Sequence, residues 1–386
     1  MRITLVLGPF KPPPPAPSGA IEKVWWRLAQ CFEGRGHEVE VVGPDHPDLP
    51  RGDRIGGIGY RRLPLLGRSR SVRFDVLRDF LWSRRAARLL PEADVTVTNC
   101  FWLPWMLRSS RNPIRRRIGV LNMHVQRFPK GQMGLYRNVD RISTVSQAIV
   151  DGILNEHPEY QGRIALIGNP VDLDVFHPPE TPPARSRLRI LYTGRIHPEK
   201  GLHLLVKAWT LLRHEGVEAD LRLLGPSSRA DGGGGEEYVR RLSSLAGDAE
   251  IELPGPVADP SVLADELRDA DIYCYPSIAD RGEASPVAPL EAMACGLPPV
   301  VADLPQYAAY IQHERSGLVF ERGSGEARRL AGVLGRLVGE STFRSELADG
   351  AIESARGFGL DEIANAYLTD FQASIDALAA SRGSSR

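Results

Sequence analysis

The chain opens on an apolar run, Ile3–Leu7, that stops at Gly8-Pro9, the pattern of a buried strand ended by a turn. A Pro-rich loop, Lys11–Pro17, leads to Ser18-Gly19, and from Ile21 to Phe32 apolar positions recur at helical spacing. Gly34-Arg35-Gly36 ends that stretch, and Glu38–Val42 reads as a second strand closed by Gly43-Pro44. Strand, loop, helix, glycine, strand is a βαβ unit. The same order returns roughly 190 residues later. Leu188–Tyr192 is a predicted strand, Thr193–Lys200 its loop, Gly201 to about His214 a helix, and Asp220–Leu224 a strand ended by Gly225-Pro226. A domain-sized interval predicts two separate doubly wound units, not a tandem repeat.

Between the two units the alternation continues, with strands predicted at Val95–Thr98, Ile118–Leu121, Arg141–Thr144 and Ile164–Ile167. The Pro-rich stretch Phe176–Ser186 lacks apolar periodicity and is the predicted linker. Further strands are predicted near Ile251–Leu253, Asp271–Tyr275, Pro299–Val301 and Gly317–Phe320. Three helices follow, at about 324–339, 341–355 and 360–380, with a frayed Ser/Arg-rich end from Ser381. The expected fold class is α/β: two domains, 1–175 and 176–359, facing one another across a cleft. Ligands in such sheets sit at the carboxyl ends of the strands, which directs attention to the loops there.

Composition excludes several classes. The 386 residues carry 48 basic and 48 acidic side chains and are 42% hydrophobic, which rules out a disordered chain and a uniformly basic nucleic-acid coat. The zero is a cancellation: residues 1–175 hold 26 basic against 17 acidic side chains, and the remainder holds 22 against 31. Four scattered cysteines suit neither a disulfide framework nor zinc, and no run approaches a transmembrane length. A cytoplasmic protein is expected, with no metal and no cofactor. No dinucleotide or P-loop fingerprint is present. Asp172-Leu173-Asp174 and Asp269-Ala270-Asp271 spell D-x-D, but the first precedes the linker and the second opens a strand, so coincidence is the expectation. The four glycines Gly232–Gly235 read as a mobile loop.

Two segments carry chemistry. Gly194-Arg195-Ile196-His197-Pro198-Glu199-Lys200-Gly201 offers two cations at a helix N-terminus, a setting suited to a diphosphate. The competing reading is a solvated loop in which Lys200 meets Glu199. Only five lysines stand among 43 arginines, which singles Lys200 out. The second segment is Arg281-Gly282-Glu283-Ala284-Ser285-Pro286-Val287-Ala288-Pro289-Leu290-Glu291-Ala292-Met293-Ala294-Cys295-Gly296. Ser285 is the expected helix cap and Pro286 its first residue, with Pro289 in the first turn. Glu291 then sits in an otherwise small, apolar helix, where an unpaired carboxylate is costly and wants donors. A ribose offers two adjacent hydroxyls; local backbone or an arginine is the alternative partner.

These residues resemble a family. Glu283-x7-Glu291 followed by Ala-Met-Ala-Cys-Gly, with the upstream Gly-Arg…Lys-Gly loop, is similar to family 4 of the retaining glycosyltransferases, which has the GT-B fold. Ser18-Gly19-Ala20-Ile21-Glu22, Arg35-Gly36-His37-Glu38-Val39, Val145-Ser146 and Gly168-Asn169-Pro170-Val171-Asp172 with Phe176 extend the resemblance over most of the chain. It implies two Rossmann-like domains, the N-terminal one on the acceptor side and joined by a C-terminal helix that crosses back to it, the C-terminal one binding a nucleotide-diphosphate sugar. Arg195, Lys200 and Gly19 would meet the donor diphosphate and Glu291 the ribose. Glu283 and the stretch Ala284, Ser285, Pro286 and Val287 would contact the donor sugar. His124, expected just past a strand, matches the active-site histidine and would contact sugar and diphosphate. The implied reaction is metal-independent transfer with retention to an unidentified acceptor.

The sequence departs from the family at Ser285-Pro286, where Phe-Gly is usual and where proline offers no amide. Asn169-Pro170 stands for Asn-Gly, and Ser18-Gly19 for two glycines. Two rival functions therefore stay open: a nucleotide-sugar 2-epimerase or hydrolase of the same fold, and a degenerate transferase acting as a binding scaffold. The basic surplus is concentrated in Arg61, Arg62, Arg68, Arg70, Arg73 and Arg78, leading into Phe80-Leu81-Trp82-Ser83-Arg84-Arg85 and Arg88. A second cluster runs from Phe101 to Met106 and on through Arg108, Arg111 and Arg115–Arg117. An interfacial helix on anionic lipid at the inner membrane face, an anionic acceptor site, and a solvated face with the aromatics in the core are the three readings; no nucleic-acid partner is expected.

Overall fold

A computed structural model describes residues 1–16, 18–50, 52–69, 71–107, 120–125, 128–181, 185–279 and 283–383, with the side chains of 120–125 and 381–383 left aside. The chain divides into two compact units, Met1–Asn169 with Leu360–Arg386, and Pro170–Gly359.

The first unit alternates strands and helices in the order β1 (Arg2–Val6), α1 (Ala20–Gly34), β2 (Glu38–Pro44), β3 (Gly52–Ile55), β4 (Ile58–Leu63), α2 (Val72–Leu89), β5 (Val95–Thr98), α3 (Leu103–Leu107), β6 (Val120–Val125), β7 (Arg141–Thr144), α4 (Gln147–Glu156) and β8 (Ile164–Leu166). Its sheet runs β3-β4-β2-β1-β5-β6-β7-β8. Every pairing is parallel except β3 with β4, a hairpin edge that the apolar pattern did not announce. Strands buried on both faces read as continuous apolar runs, which is why Ile3–Val6 and Val95–Val97 were legible. The C-terminal helix, Leu360–Gly383, belongs to this unit and packs on α1 through Trp25 with Tyr367 and Phe32 with Phe371.

The second unit follows with β9 (Leu188–Thr193), α5 (Leu202–His214), β10 (Ala219–Leu224), α6 (Glu236–Ala246), β11 (Glu252–Gly255), α7 (Pro260–Arg268), β12 (Ile272–Tyr275), α8 (Ala288–Ala294), β13 (Pro299–Ala302), β14 (Leu318–Phe320), α9 (Glu326–Gly339) and α10 (Ser341–Arg356). Its sheet is wholly parallel, β11-β10-β9-β12-β13-β14, the 3-2-1-4-5-6 order of a doubly wound fold. The strand order reverses between β9 and β12, and in the first unit between β1 and β5. A crevice opens at each reversal because the following helices leave on opposite faces.

The expected linker is only partly a linker. Phe176 is buried in the second unit's core, Val171 bridges to Gly359, and Arg268 donates to the carbonyls of His177 at 3.0 Å and Val175 at 2.6 Å. An arginine at the end of α7 thus ties the Pro-rich stretch down. Among the described residues no helix is long and apolar enough to cross a membrane.

Candidate functional site

The loop from β9 to α5 lies at the second unit's strand-order reversal and is held rigidly. Ile196 is buried; its amide donates to Pro226 and its carbonyl accepts from Gly234 at 2.8 Å. Tyr192 Oη donates to the Arg195 carbonyl at 2.9 Å. Gly201 closes the loop at φ 67°, and a Cβ there would collide with the carbonyl of Pro276, so this left-handed, crowded position takes only glycine. That close approach seats the β9 loop on the loop after β12, and Ile278 N, donating to the Glu199 carbonyl at 3.0 Å, fixes the register between them.

The two loops bring Lys200 and Glu283 together. Lys200 Nζ forms an ion pair with Glu283 Oε1 and donates to Tyr275 Oη at 2.9 Å; their side chains are 9% and 7% exposed. Tyr275 Oη at 3.1 Å and Ser277 Oγ at 3.0 Å donate to that same Oε1. All three donors converge on one oxygen, so Oε2 takes no hydrogen bond among the described residues. The solvated-loop reading of Lys200 fails: Glu199 pairs with Arg195, and Lys200 turns inward. Arg195 also donates to the Gly232 carbonyl at 3.0 Å and stays 44% exposed, a cation held at the rim. The expectation of a mobile Gly232–Gly235 loop is corrected as well. Its amides at 233, 234 and 235 donate to Ser228, Ile196 and Ser227, because glycines there allow backbone to lie on backbone.

Sequence reasoning missed what stands behind this pair. Tyr192, Tyr273, Tyr275, Tyr307 and Tyr310 are all buried, with Tyr192 and Tyr275 stacked at 5.6 Å and Tyr273 and Tyr275 at 6.4 Å. Alternating Tyr273 and Tyr275 at the carboxyl end of β12, a place where apolar residues suffice for packing, was the available signal.

Glu291 stands on α8, whose neighbours Leu290, Ala292, Met293 and Ala294 are buried. The helix begins at Ala288, two residues later than the capping pattern suggested. Ser285 is buried short of it, and Pro289 alone fills the first-turn role. The carbonyl of Pro286 accepts from Tyr310 Oη at 3.0 Å, which anchors the stretch Ala284–Val287 that precedes the helix. Glu291 is partly open to solvent, yet burial pushes its carboxyl up to about 7, and among the described residues no donor reaches it. Among the described residues neither alternative partner, local backbone nor an arginine, donates to its carboxylate. Arg281 and Gly282 lie outside the described residues.

The first unit's reversal holds a cavity of about 260 Å³, lined by the loop Gly8–Phe10, by Asn99 and Phe101 after β5, and by Glu22, Arg68, Asp75 and Asp79. Gly19 caps α1 in an extended conformation, and a Cβ there would collide with the Glu22 carboxylate, which folds back over the helix start. Desolvation raises the Glu22 carboxyl, opposed by its own amide and by Lys11, Arg68 and the Gly19 amide. His124 is inside β6, in register with Ser143, not past the strand as expected; its side chain lies outside the described residues. Among the described residues no three His, Cys, Asp or Glu side chains converge as a metal group would require. Three of the four D-x-D aspartates are engaged locally: Asp269 pairs with Arg189 at 2.8 Å, Asp271 accepts the Arg189 amide at 2.8 Å, and Asp172 accepts that of Asp174.

Two family descriptions match: Glycosyltransferase Family 4 over residues 21–175 and Glycosyl transferases group 1 over residues 187–339. The chain belongs to the group 1, family 4 glycosyltransferases. Among curated members of this family, the D-inositol 3-phosphate glycosyltransferase of Arthrobacter sp. is 32% identical over 53% of this chain and 49% of its own. That of Nocardioides sp. is 30% identical over 56% and 50%. The match thus spans about half the length of these relatives. Among solved structures, sucrose-phosphate synthase from Thermosynechococcus elongatus superposes with a TM-score of 0.77 at 20% identity, over 98% of this chain and 100% of that one. HepE of Anabaena, in complex with UDP and glucose, gives 0.70 at 16%, over 97% and 100%. The fold is GT-B.

Proposed function

We propose that the chain is a glycosyltransferase that takes a sugar from a nucleotide-diphosphate donor bound at the β9/β12 reversal. The observation that carries the reading is Glu291: a carboxylate that burial pushes up to about 7, without a donor among the described residues, at the carboxyl end of a doubly wound sheet. Two adjacent ribose hydroxyls supply what it lacks. Arg195 at the rim and the third hydrogen of Lys200 Nζ would neutralise the diphosphate at the start of α5. Glu283 Oε2 is left to accept from sugar hydroxyls, and Ala284 to Val287 line its approach. Pro286 gives no amide, so donor contact there falls to its neighbours.

Transfer would break the bond between the anomeric carbon and the diphosphate oxygen and form one to an acceptor oxygen. The acceptor proton passes to the leaving phosphate, and the anomeric configuration is retained, without a metal. The role the resemblance implies for His124 is part of the same proposal. UDP-sugars come first, because HepE is bound to UDP; D-inositol 3-phosphate, named in the curated relatives, belongs among the acceptors.

The test is calorimetric titration with UDP-, GDP-, ADP- and dTDP-sugars, followed by NMR of any product. Micromolar binding of one donor that Glu291→Ala removes, with a retained anomeric product, supports the reading. Binding to none, or undiminished binding and turnover in Glu291→Ala, overturns it.

A further inference from the structure

Helix α2 segregates its charges by sign. Its two acids point inward and are fully used: Asp79 accepts Trp102 N at 3.0 Å, Phe101 N at 3.3 Å and Ser83 Oγ at 3.1 Å, while Asp75 accepts Ser69 N at 2.8 Å. Trp82 and Ala86 are buried beside them, and Trp102 Nε1 donates to the Val76 carbonyl at 3.0 Å. The aromatics singled out in the sequence therefore serve packing: Trp82 is in the core, and Phe80 meets Trp102 edge-on.

The outer face is different. Phe74, Leu77 and Leu81, at positions i, i+3 and i+7, are 63%, 53% and 49% exposed. They form one apolar stripe along the helix, since residues three and four apart share a face. At ~100° per residue, Arg73 and Arg84 flank the stripe on one side and Arg78 and Arg85 on the other, and Arg88 continues it. Arg73, Arg84, Arg85 and Arg88 are exposed, and among the described residues no carboxylate pairs with them. Arg78 pairs with Asp75 at 3.9 Å. Isolated exposed leucines need no explanation, but an apolar row flanked and continued by four exposed arginines without a carboxylate among the described residues does.

We propose that α2 is a membrane-docking helix, seated along the surface of a bilayer that contains anionic lipid. The shape selects a bilayer over a folded protein, because the stripe is the convex crest of a single helix. A crest inserts into a fluid interface, where each side chain finds acyl chain on all sides. The arginine stems lie along that apolar boundary while their guanidinium groups reach lipid phosphates, bidentately where geometry permits. The second arginine cluster, Arg108 to Arg117, lies outside the described residues and takes no part in the argument.

Flotation with vesicles tests this on the full chain, and it reads membrane binding without reference to transfer. Equimolar phosphatidylcholine and phosphatidylglycerol vesicles should carry the protein, and pure phosphatidylcholine should carry it at least tenfold less, with binding falling as salt rises. Arg84→Gln/Arg85→Gln/Arg88→Gln should weaken partitioning roughly 100-fold. Phe74→Ser/Leu77→Ser/Leu81→Ser should remove it with charge unchanged. Both triples alter exposed side chains, and circular dichroism checks that each folds. Arg240→Gln/Arg241→Gln/Arg328→Gln, an equal charge change on the second unit, should leave binding as it was. No vesicle binding, equal binding to neutral vesicles, or equal loss in the α2 and control arginine triples would overturn the proposal.

Discussion

The two strand-order reversals share one topology and hold similar side chains, and they differ in how their charges are used. At β1/β5, Asp79 is buried but accepts two amides and a hydroxyl, and Asp75 accepts a loop amide. Glu22 folds over the start of its own helix. Each of these acids has a structural job within the protein. At β9/β12, among the described residues, Glu283 places three donors on one oxygen and leaves the other free, and no donor reaches Glu291. A carboxylate satisfied by backbone builds a loop; a desolvated one with capacity to spare costs stability and is kept for something that binds. Within one fold, hydrogen-bond accounting separates scaffold from site where the mere presence of buried acids does not.

The largest break in that comparison comes from Lys200. Lys200→Ala leaves Glu283 buried without its cation, and stability in urea should drop by about 3–5 kcal/mol, with nucleotide-sugar binding lost. Lys200→Met/Glu283→Leu should recover most of the stability and none of the binding. Recovery of both would mean that the pair is scaffold like Asp79.

Glu291 is predicted to separate stability from function in the opposite sense. Burial holds its carboxyl near 7 against an ordinary 4.5, so ionising it in the folded state is unfavourable. The sign is that of a raised carboxyl pKa: folding is relatively favoured below pH 4.5 and loses ground as pH rises to about 7. Glu291→Gln should therefore stabilise the free protein at pH 8 by about 1–3 kcal/mol, with the gain vanishing at acid pH. The same change should weaken donor binding by roughly 10- to 100-fold. Melting curves at several pH values and calorimetry read the two effects separately.

Asp79→Asn is the matched change in the first unit. It removes a carboxylate that holds the amides of Phe101 and Trp102, and it should cost about 1–3 kcal/mol of stability. Donor affinity at the second unit should not move. A loss of donor affinity with intact stability would invert the assignment of the two reversals.

Much of this was legible in the chain and some of it was not, for identifiable reasons. Doubly buried strands such as Ile3–Val6 and Ile190–Tyr192 announce themselves as apolar runs, and Gly201 marks the crowded loop. The β3–β4 hairpin was missed although Gly56-Gly57, at φ 54° and 82°, is the two-glycine turn that joins such strands. Its strands are short and partly polar, and the arginines drew attention to charge. Glu291 could be named because a carboxylate is out of place in an apolar helix, Lys200 because lysines are scarce in this chain, and Glu283 through the family resemblance alone. That Lys200 pairs with Glu283 and not with its neighbour Glu199 could not be read, since that pairing depends on two loops far apart in sequence meeting at Gly201. The apolar stripe of α2 was hidden for a related reason: Phe80 and Trp82 are the bulkier side chains, and only burial shows that Phe74, Leu77 and Leu81 are the exposed ones.

The smallest effect expected is at Arg195, and its size is informative. Arg195 is 44% exposed, and its partners are the Glu199 carboxylate and the Gly232 carbonyl at the rim. An exposed pair of this kind adds about 0–1 kcal/mol, so Arg195→Gln should leave the melting temperature nearly unchanged. If Arg195 turns from Glu199 to a donor diphosphate, the substitution should still weaken UDP-sugar binding by roughly 5- to 10-fold, and raising the salt concentration should narrow that gap. Glu199→Gln releases the same arginine from its competitor and should tighten binding slightly. Equal donor affinity in Arg195→Gln and the parent would leave Lys200 as the sole cation acting on the diphosphate. The β9 loop would then owe its arginine to the same structural use that the first unit makes of its acids.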